Sequence, residues 1–146
     1  AALLADIDSV VATCCAIKAR IVEQDEFDTG LRMLLNFGHT LGHAVEQNFG
    51  YSCFSHGEGV AIGMYQLTKR TEELGMTAKG SAERIKSVLE KYNLPLTAGV
   101  EKAQLLDTMA RDKKKNGNSI TLIILQQIGE GVLQKVDWQE VPKYLG

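Results

Sequence analysis

All three histidines of the chain, His39, His43 and His56, fall within eighteen of its 146 residues. Imidazole ligates divalent metals and moves protons near neutral pH, so such a cluster is a candidate for either chemistry. His39 and His43 stand at i and i+4, a spacing that lets two imidazoles converge on one ion from a single helical face. The run His39-Thr40-Leu41-Gly42-His43 nevertheless lacks the glutamate of the HisGluXxxXxxHis metalloprotease pattern. Spacing alone therefore leaves open which of the two binds metal, or whether they are simply a packed pair.

On a helix continuous through this segment, Arg32, Asn36, His39, His43 and Glu46 occupy one stripe roughly 80° wide. Met33, Leu34, Phe37, Leu41, Ala44 and Val45 gather opposite, and Gly38 and Gly42 leave one flank bare enough for another backbone to approach. A solvated stripe is usually rich in Lys and Glu. This one instead offers side chains that bind anions, donate directed hydrogen bonds and ligate metals. Ser55 and Glu58 form the pattern of a capping box, which puts His56 in the first turn of the next helix. The helix dipole there opposes a positive charge and favours the neutral imidazole that a metal binds. A catalytic zinc takes about three protein ligands, so the histidines supply part of a shell. Glu46, one turn beyond His43, is placed to support it from behind, while Glu58 is consumed by the cap. Lys18, Arg32 and the basic run at 111–115 are candidate anion-binding groups, although a solvated loop is the plainer expectation for the lysine run.

The elements that must position these residues are mostly helical, with only Pro95 and Pro142 to interrupt them. A first helix is predicted from about Ala2 to Val22, followed by a turn in which Asp28 or Thr29 caps the next helix. That second helix carries Arg32 through Phe49 without a break and ends near Gly50. A third runs from His56 to about Leu74, a fourth from Ser81 to Tyr92, and a fifth from Glu101 to Arg111. Residues 119–125 and 132–136 then read as a short hairpin around a Gly129-Glu130-Gly131 turn, with a short helix from about Asp137 to the end. The expected fold class is thus mainly α, a helical metal- and substrate-binding domain with a C-terminal β-hairpin.

Composition agrees with a globular domain, at 45% hydrophobic and 23% charged residues. A formal charge of −2 leaves no basic excess for nucleic acid, and no apolar run is long enough to cross a bilayer. Three cysteines without metal-type spacing, Cys14, Cys15 and Cys53, are expected to be reduced thiols buried as small hydrophobes in a cytoplasmic protein. The chain starts without Met and in the middle of a helical pattern, as expected of a piece of something longer.

Taken in order, Lys18, the Asp25–Arg32 run, residues 35–46, His56-Gly57-Glu58-Gly59 through Met64, and Asp112-Lys113-Lys114 resemble 3-dehydroquinate synthase. The resemblance spans nearly the whole of 1–146 and is confined to that family's C-terminal, helical domain. It implies a zinc- and NAD-dependent lyase of the shikimate pathway, converting 3-deoxy-D-arabino-heptulosonate 7-phosphate to 3-dehydroquinate and phosphate. It also implies that His39 and His56 are zinc ligands and that a glutamate on an N-terminal NAD-binding domain, absent here, is the third. His43 then contacts substrate, while Lys18, Arg32, Asn36 and one lysine of the Asp112-Lys113-Lys114 run, taken as Lys114, hold the carboxylate, hydroxyls or phosphate of a phosphorylated sugar acid. A cytoplasmic homodimer is expected, with the fragment alone inactive. Asp28 stands where the family often has Glu, and Gly59 where Ala is usual. Alternatives are a 2-deoxy-scyllo-inosose synthase or a metal-dependent polyol dehydrogenase of the same superfamily, and a non-catalytic helical interaction module. Lys18, Arg32 and Asn36 together argue against the dehydrogenase, since a simple alcohol gives an anion-binding set nothing to hold.

Overall fold

The computed structural model describes residues 5–27 and 30–146, except for the side chains of 111–116. It divides into two compact units, Ala1–Leu35 and Asn36–Gly146. In the first, helix α1 (Ile7–Gln24) ends at Asp25, whose carboxylate Oδ2 accepts the backbone N–H groups of Gly30 at 2.8 Å and Arg32 at 2.9 Å. That carboxylate closes the turn and opens a 3-10 helix, Leu31–Asn36, whose last residue begins the second unit. The capping role expected of Asp28 or Thr29 lies outside the described residues.

In the second unit α2 (His39–Asn48) packs on α3 (His56–Glu73), followed by α4 (Ser81–Lys91) and α5 (Lys102–Asn116). Strands β1 (Ser119–Gln127) and β2 (Glu130–Asp137) form the antiparallel hairpin, and a 3-10 turn, Val141–Tyr144, ends the chain. The core draws Leu41 and Ala44 from α2, Leu67 from α3, Met109 from α5, and Leu122, Ile124 and Val136 from the strands. Buried hydroxyls join helix to strand: Thr71 and Thr77 share a hydrogen bond of 2.7 Å, and Thr77 Oγ1 donates to the Leu125 carbonyl at 2.6 Å.

The capping box of α3 is present as expected, with Ser55 Oγ accepting from the Glu58 amide and the Glu58 carboxylate accepting from the Ser55 amide. The continuous second helix is not. The chain breaks at Phe37–Gly38, where Gly38 has φ +81° and precedes α2 in the left-handed conformation. Arg32 and Asn36 lie on the 3-10 segment before that break, so they do not share a helical face with His39, His43 and Glu46. The cause is packing. A Cβ on Gly38 would meet the Val60 carbonyl oxygen at 2.7 Å and the Met64 amide at 2.8 Å, and one on Gly63 would collide with the Gly38 carbonyl. One on Gly42 would lie 2.9 Å from the backbone of Gly59. Glycine is used here for close backbone approach between α2 and α3.

Other expectations are corrected as well. Cys14, Cys15 and Cys53 are free thiols but exposed, not buried. The backbone of the basic run 111–115 is helical and belongs to the C-terminal part of α5, rather than a loop. The hairpin turns at Ile128–Gly129, one residue earlier than expected, where Gly129 supplies φ +95°, and its register shifts between Leu125 and Gln127. A 3-10 turn at 141–144 replaces the helix expected from Asp137. No helix among the described residues is long and apolar enough to cross a membrane.

Two stability outcomes follow from this packing. Gly63→Ala should destabilise the protein by about 2 kcal/mol or more, because the obstructing atoms are backbone, whereas Gly57→Ala, with nothing within 4 Å of the added Cβ, should be neutral or slightly stabilising. Equal urea midpoints for the two variants would contradict the close-approach account. Glu72 accepts the Ala82 and Gly80 amides, both at 2.9 Å, at the start of α4, and these bonds hold its carboxyl below the ordinary carboxylate range. Its contribution is therefore fully present above the unfolded-state value and is lost as pH falls through the lower folded-state one. Glu72→Gln should cost about 1 kcal/mol at pH 7 and progressively nothing as the medium is acidified, read from denaturation curves across pH.

Candidate metal centre

His39 is the first residue of α2, His43 follows one turn later, and His56 is the first residue of α3. The glycine contact brings these helix starts together. The ring centroids lie 5.7 Å apart for His39 and His43, 5.0 Å for His39 and His56, and 5.4 Å for His43 and His56. The sequence cluster is thus a cluster in space.

Glu46 joins it. Only 4% exposed, it accepts from His43 Nδ1 through Oε2 at 2.8 Å and from His56 Nδ1 through Oε1 at 3.1 Å. Burial pushes its carboxyl up, but the bonds from His43 and His56 and their nearby charge together outweigh burial and leave it below the ordinary range. Glu46 is accordingly an ionised acceptor bridging two helices. His39 Nδ1 lies 3.3 Å from the Phe37 carbonyl oxygen.

These contacts have a chemical consequence. Each Nδ1 faces an oxygen that can only accept, which places an N–H there, so that the neutral form of each ring carries its lone pair on Nε2. Metal-binding histidines are commonly fixed in this way. His43 and His56 side chains are about half exposed, so an ion or substrate can reach them. His43, Glu46 and His56 also offer one possible ligand atom each, all within 4.8 Å of one another. Imidazoles set beside a buried carboxylate suit zinc or a similar divalent ion.

The remaining candidates are placed as follows. Lys18 is exposed on α1 of the first unit. In the same unit Arg32 donates from Nη1 to the Glu26 carbonyl at 2.8 Å, so its guanidinium is steadied by its own turn. Asn36 is exposed at the end of the 3-10 segment. The side chains of Lys113 and Lys114 lie outside the described residues. The bond that Glu46 accepts from His56 is not legible in the sequence, which points only to support of His43. The facing glycines at 42 and 59, which set the helices in contact beside Glu46, were the available signal: a Cβ on Gly59 would lie 3.1 Å from Glu46 Cγ.

Residues 3–115 match the family described as 3-dehydroquinate synthase C-terminal. The chain is 46% identical over 144 residues to the 3-dehydroquinate synthase of Clostridium acetobutylicum, and 39% identical over 144 residues to that of Enterococcus faecalis. Each match covers 98% of this chain and 40% of the relative, so the chain spans about two fifths of the length of these relatives. Among solved structures, 2-deoxy-scyllo-inosose synthase complexed with carbaglucose-6-phosphate, NAD+ and Co2+ superposes with a TM-score of 0.77 at 17% identity, covering 95% of this chain and 40% of that one. The 2-epi-5-epi-valiolone synthase of Streptomyces hygroscopicus, with NAD+ and Zn2+ bound, gives 0.70 at 20% identity, covering 86% of this chain and 35% of that one. At such identities the likeness is one of fold.

Replacing the bridging carboxylate tests the geometry. Glu46→Gln should weaken Zn2+ binding by about 10–100-fold, measured by competition with a chelating dye. Unchanged affinity would show that the Glu46 contacts do not orient the ligands.

Proposed function

Because the chain belongs to the 3-dehydroquinate synthase family, we propose that residues 1–146 are the C-terminal, metal- and substrate-holding domain of a longer enzyme of that activity. Its substrate would be 3-deoxy-D-arabino-heptulosonate 7-phosphate and its products 3-dehydroquinate and phosphate. The NAD-binding domain would be a further part of the same protein, which we read as a cytoplasmic homodimer. The observation that carries the reading is the pair His39 and His56, with rings 5.0 Å apart, above a carboxylate that fixes His56, in a chain 46% identical to a named synthase.

His39 and His56 would be the metal ligands this chain supplies, each through Nε2, with the third ligand on the other domain. A divalent metal bound there would polarise the substrate's hydroxyls, and NAD would take up and return a hydride, so that the C–H beside the transient ketone loses its proton as phosphate leaves. His43 is the imidazole left over. Its Nδ1–H is held by Glu46, so Nε2 is set at a fixed place to accept a proton from substrate or, once protonated, to donate to a phosphate oxygen. Lys18, Arg32, Asn36 and Lys114 would hold the carboxylate, hydroxyls and phosphate, keeping an anionic substrate oriented through elimination, ring opening and closure. The inosose and valiolone synthases share the fold, but relatives at 39–46% identity over nearly the whole chain favour the dehydroquinate reading.

In the full-length enzyme, His39→Ala and His56→Ala should each lose bound zinc and activity together, while His43→Ala should keep zinc and lose phosphate release. Elemental analysis beside a phosphate assay separates these outcomes. Full zinc occupancy in the first two variants would sink the ligand assignment, and full turnover in the third would remove His43 from the reaction.

A further inference from the structure

On the side of α2 turned away from its histidines, Leu41 and Val45 help to wall a cavity of about 170 Å³, completed by Ile62, Val100, Leu105 and Leu145. Gln66, Lys102, Leu145 and Gly146 line both this chamber and a neighbouring hollow of about 340 Å³, whose other walls are Lys69, Arg70 and Glu73. The two spaces are therefore adjacent, the inner one walled by aliphatic and polar groups in about equal share and the outer one mostly polar, with Lys69, Arg70 and Lys102 beside Glu73. Gln66 is fastened at their junction by a bond from Nε2 to the Leu96 carbonyl at 2.8 Å.

Arg70 pairs with Glu73 at 2.8 Å, but among the described residues no carboxylate lies within ion-pair distance of Lys102 or Lys69. Lys102 is half-buried, and its Nζ donates to a neutral acceptor, the Leu145 carbonyl, at 2.9 Å. It is also the first residue of α5, where the helix dipole adds to positive potential instead of offsetting it. A partly desolvated ammonium at a helix N-terminus is stabilised by an anion. The aliphatic wall of the chamber beside it favours an organic anion over a bare inorganic one, since burying Leu41, Ile62 and Leu105 against an organic body adds the hydrophobic contribution.

We propose that this double cavity binds a small amphipathic carboxylate, an aryl or branched-alkyl acid whose apolar body fills the inner chamber and whose carboxylate meets Lys102 and Lys69. The site is separate from the histidine cluster, and its occupant packs against the backs of the two helices that carry the metal-binding candidates.

The test uses the full-length protein and calorimetric titration with 3-phenylpropionate, its neutral amide and inorganic phosphate. Saturable one-to-one binding of the acid is expected, at least tenfold tighter than the amide, with phosphate failing to compete. Lys102→Met should weaken binding tenfold or more. Ala98→Phe, which fills the chamber from the loop that lines it, should abolish binding while thermal unfolding stays cooperative. Lys69→Gln, a change at an exposed position, should weaken it several-fold and decides the matter if the Lys102 variant does not fold. Binding should persist in His39→Ala. No saturable binding at millimolar acid, equal affinity for acid and amide, full binding by Ala98→Phe, or loss of binding in His39→Ala would each overturn the proposal.

Discussion

Helices α2 and α3 meet through glycine. At Gly38, Gly42, Gly59 and Gly63 the backbones lie so close that a Cβ at three of the four would fall within 3.0 Å of main-chain atoms of the other segment, and at Gly59 it would sit 3.1 Å from Gly42 O. This approach sets the first turn of α3 against the first two turns of α2, which is where the three histidines are. Side chains at these positions would push the helices apart, and Glu46 could no longer reach both His43 and His56. The metal-binding candidates thus depend on four residues that have no chemistry of their own.

The second constraint is electrostatic. A buried carboxylate is costly unless it is hydrogen-bonded, and Glu46 meets that requirement with two imidazole N–H groups from different helices. The arrangement is reciprocal. The rings satisfy the carboxylate, and the carboxylate decides which ring nitrogen carries the proton. That choice turns a pair of solvent-facing imidazoles into preset Nε2 donors, and the Phe37 carbonyl does the same for His39. The helix break at Gly38 contributes directly, since it places the carbonyl of Phe37 beside the ring of the residue two positions on.

Much of this was legible in the sequence because it is local. The Ser55–Glu58 cap, the histidine clustering, the end of α4 ahead of Pro95, and the hairpin follow from side-chain chemistry within a few residues. The break at Gly38 was not, since helical periodicity across 31–50 is intact and the interruption is imposed by Val60 and Met64 on another helix. The same holds for Glu46 and His56, ten residues apart and joined only by packing. Cysteine's general tendency to be buried misled at Cys14, Cys15 and Cys53, where the thiols sit on exposed helix or loop surface. The basic run continued α5 because Lys and Arg are good helix formers, and its charge said nothing against that.

The central claim is that the protein holds its histidines as Nδ1–H tautomers so that Nε2 is the nitrogen offered to a metal. Long-range proton–nitrogen correlation NMR on histidine-labelled protein reads this directly, in the metal-free state and after addition of Zn2+. The expected result is an Nδ1–H tautomer for the neutral rings of His39, His43 and His56, with zinc shifting Nε2 of His39 and His56 but not of His43. An Nε2–H tautomer at His56, or zinc bound through Nδ1, would contradict the account.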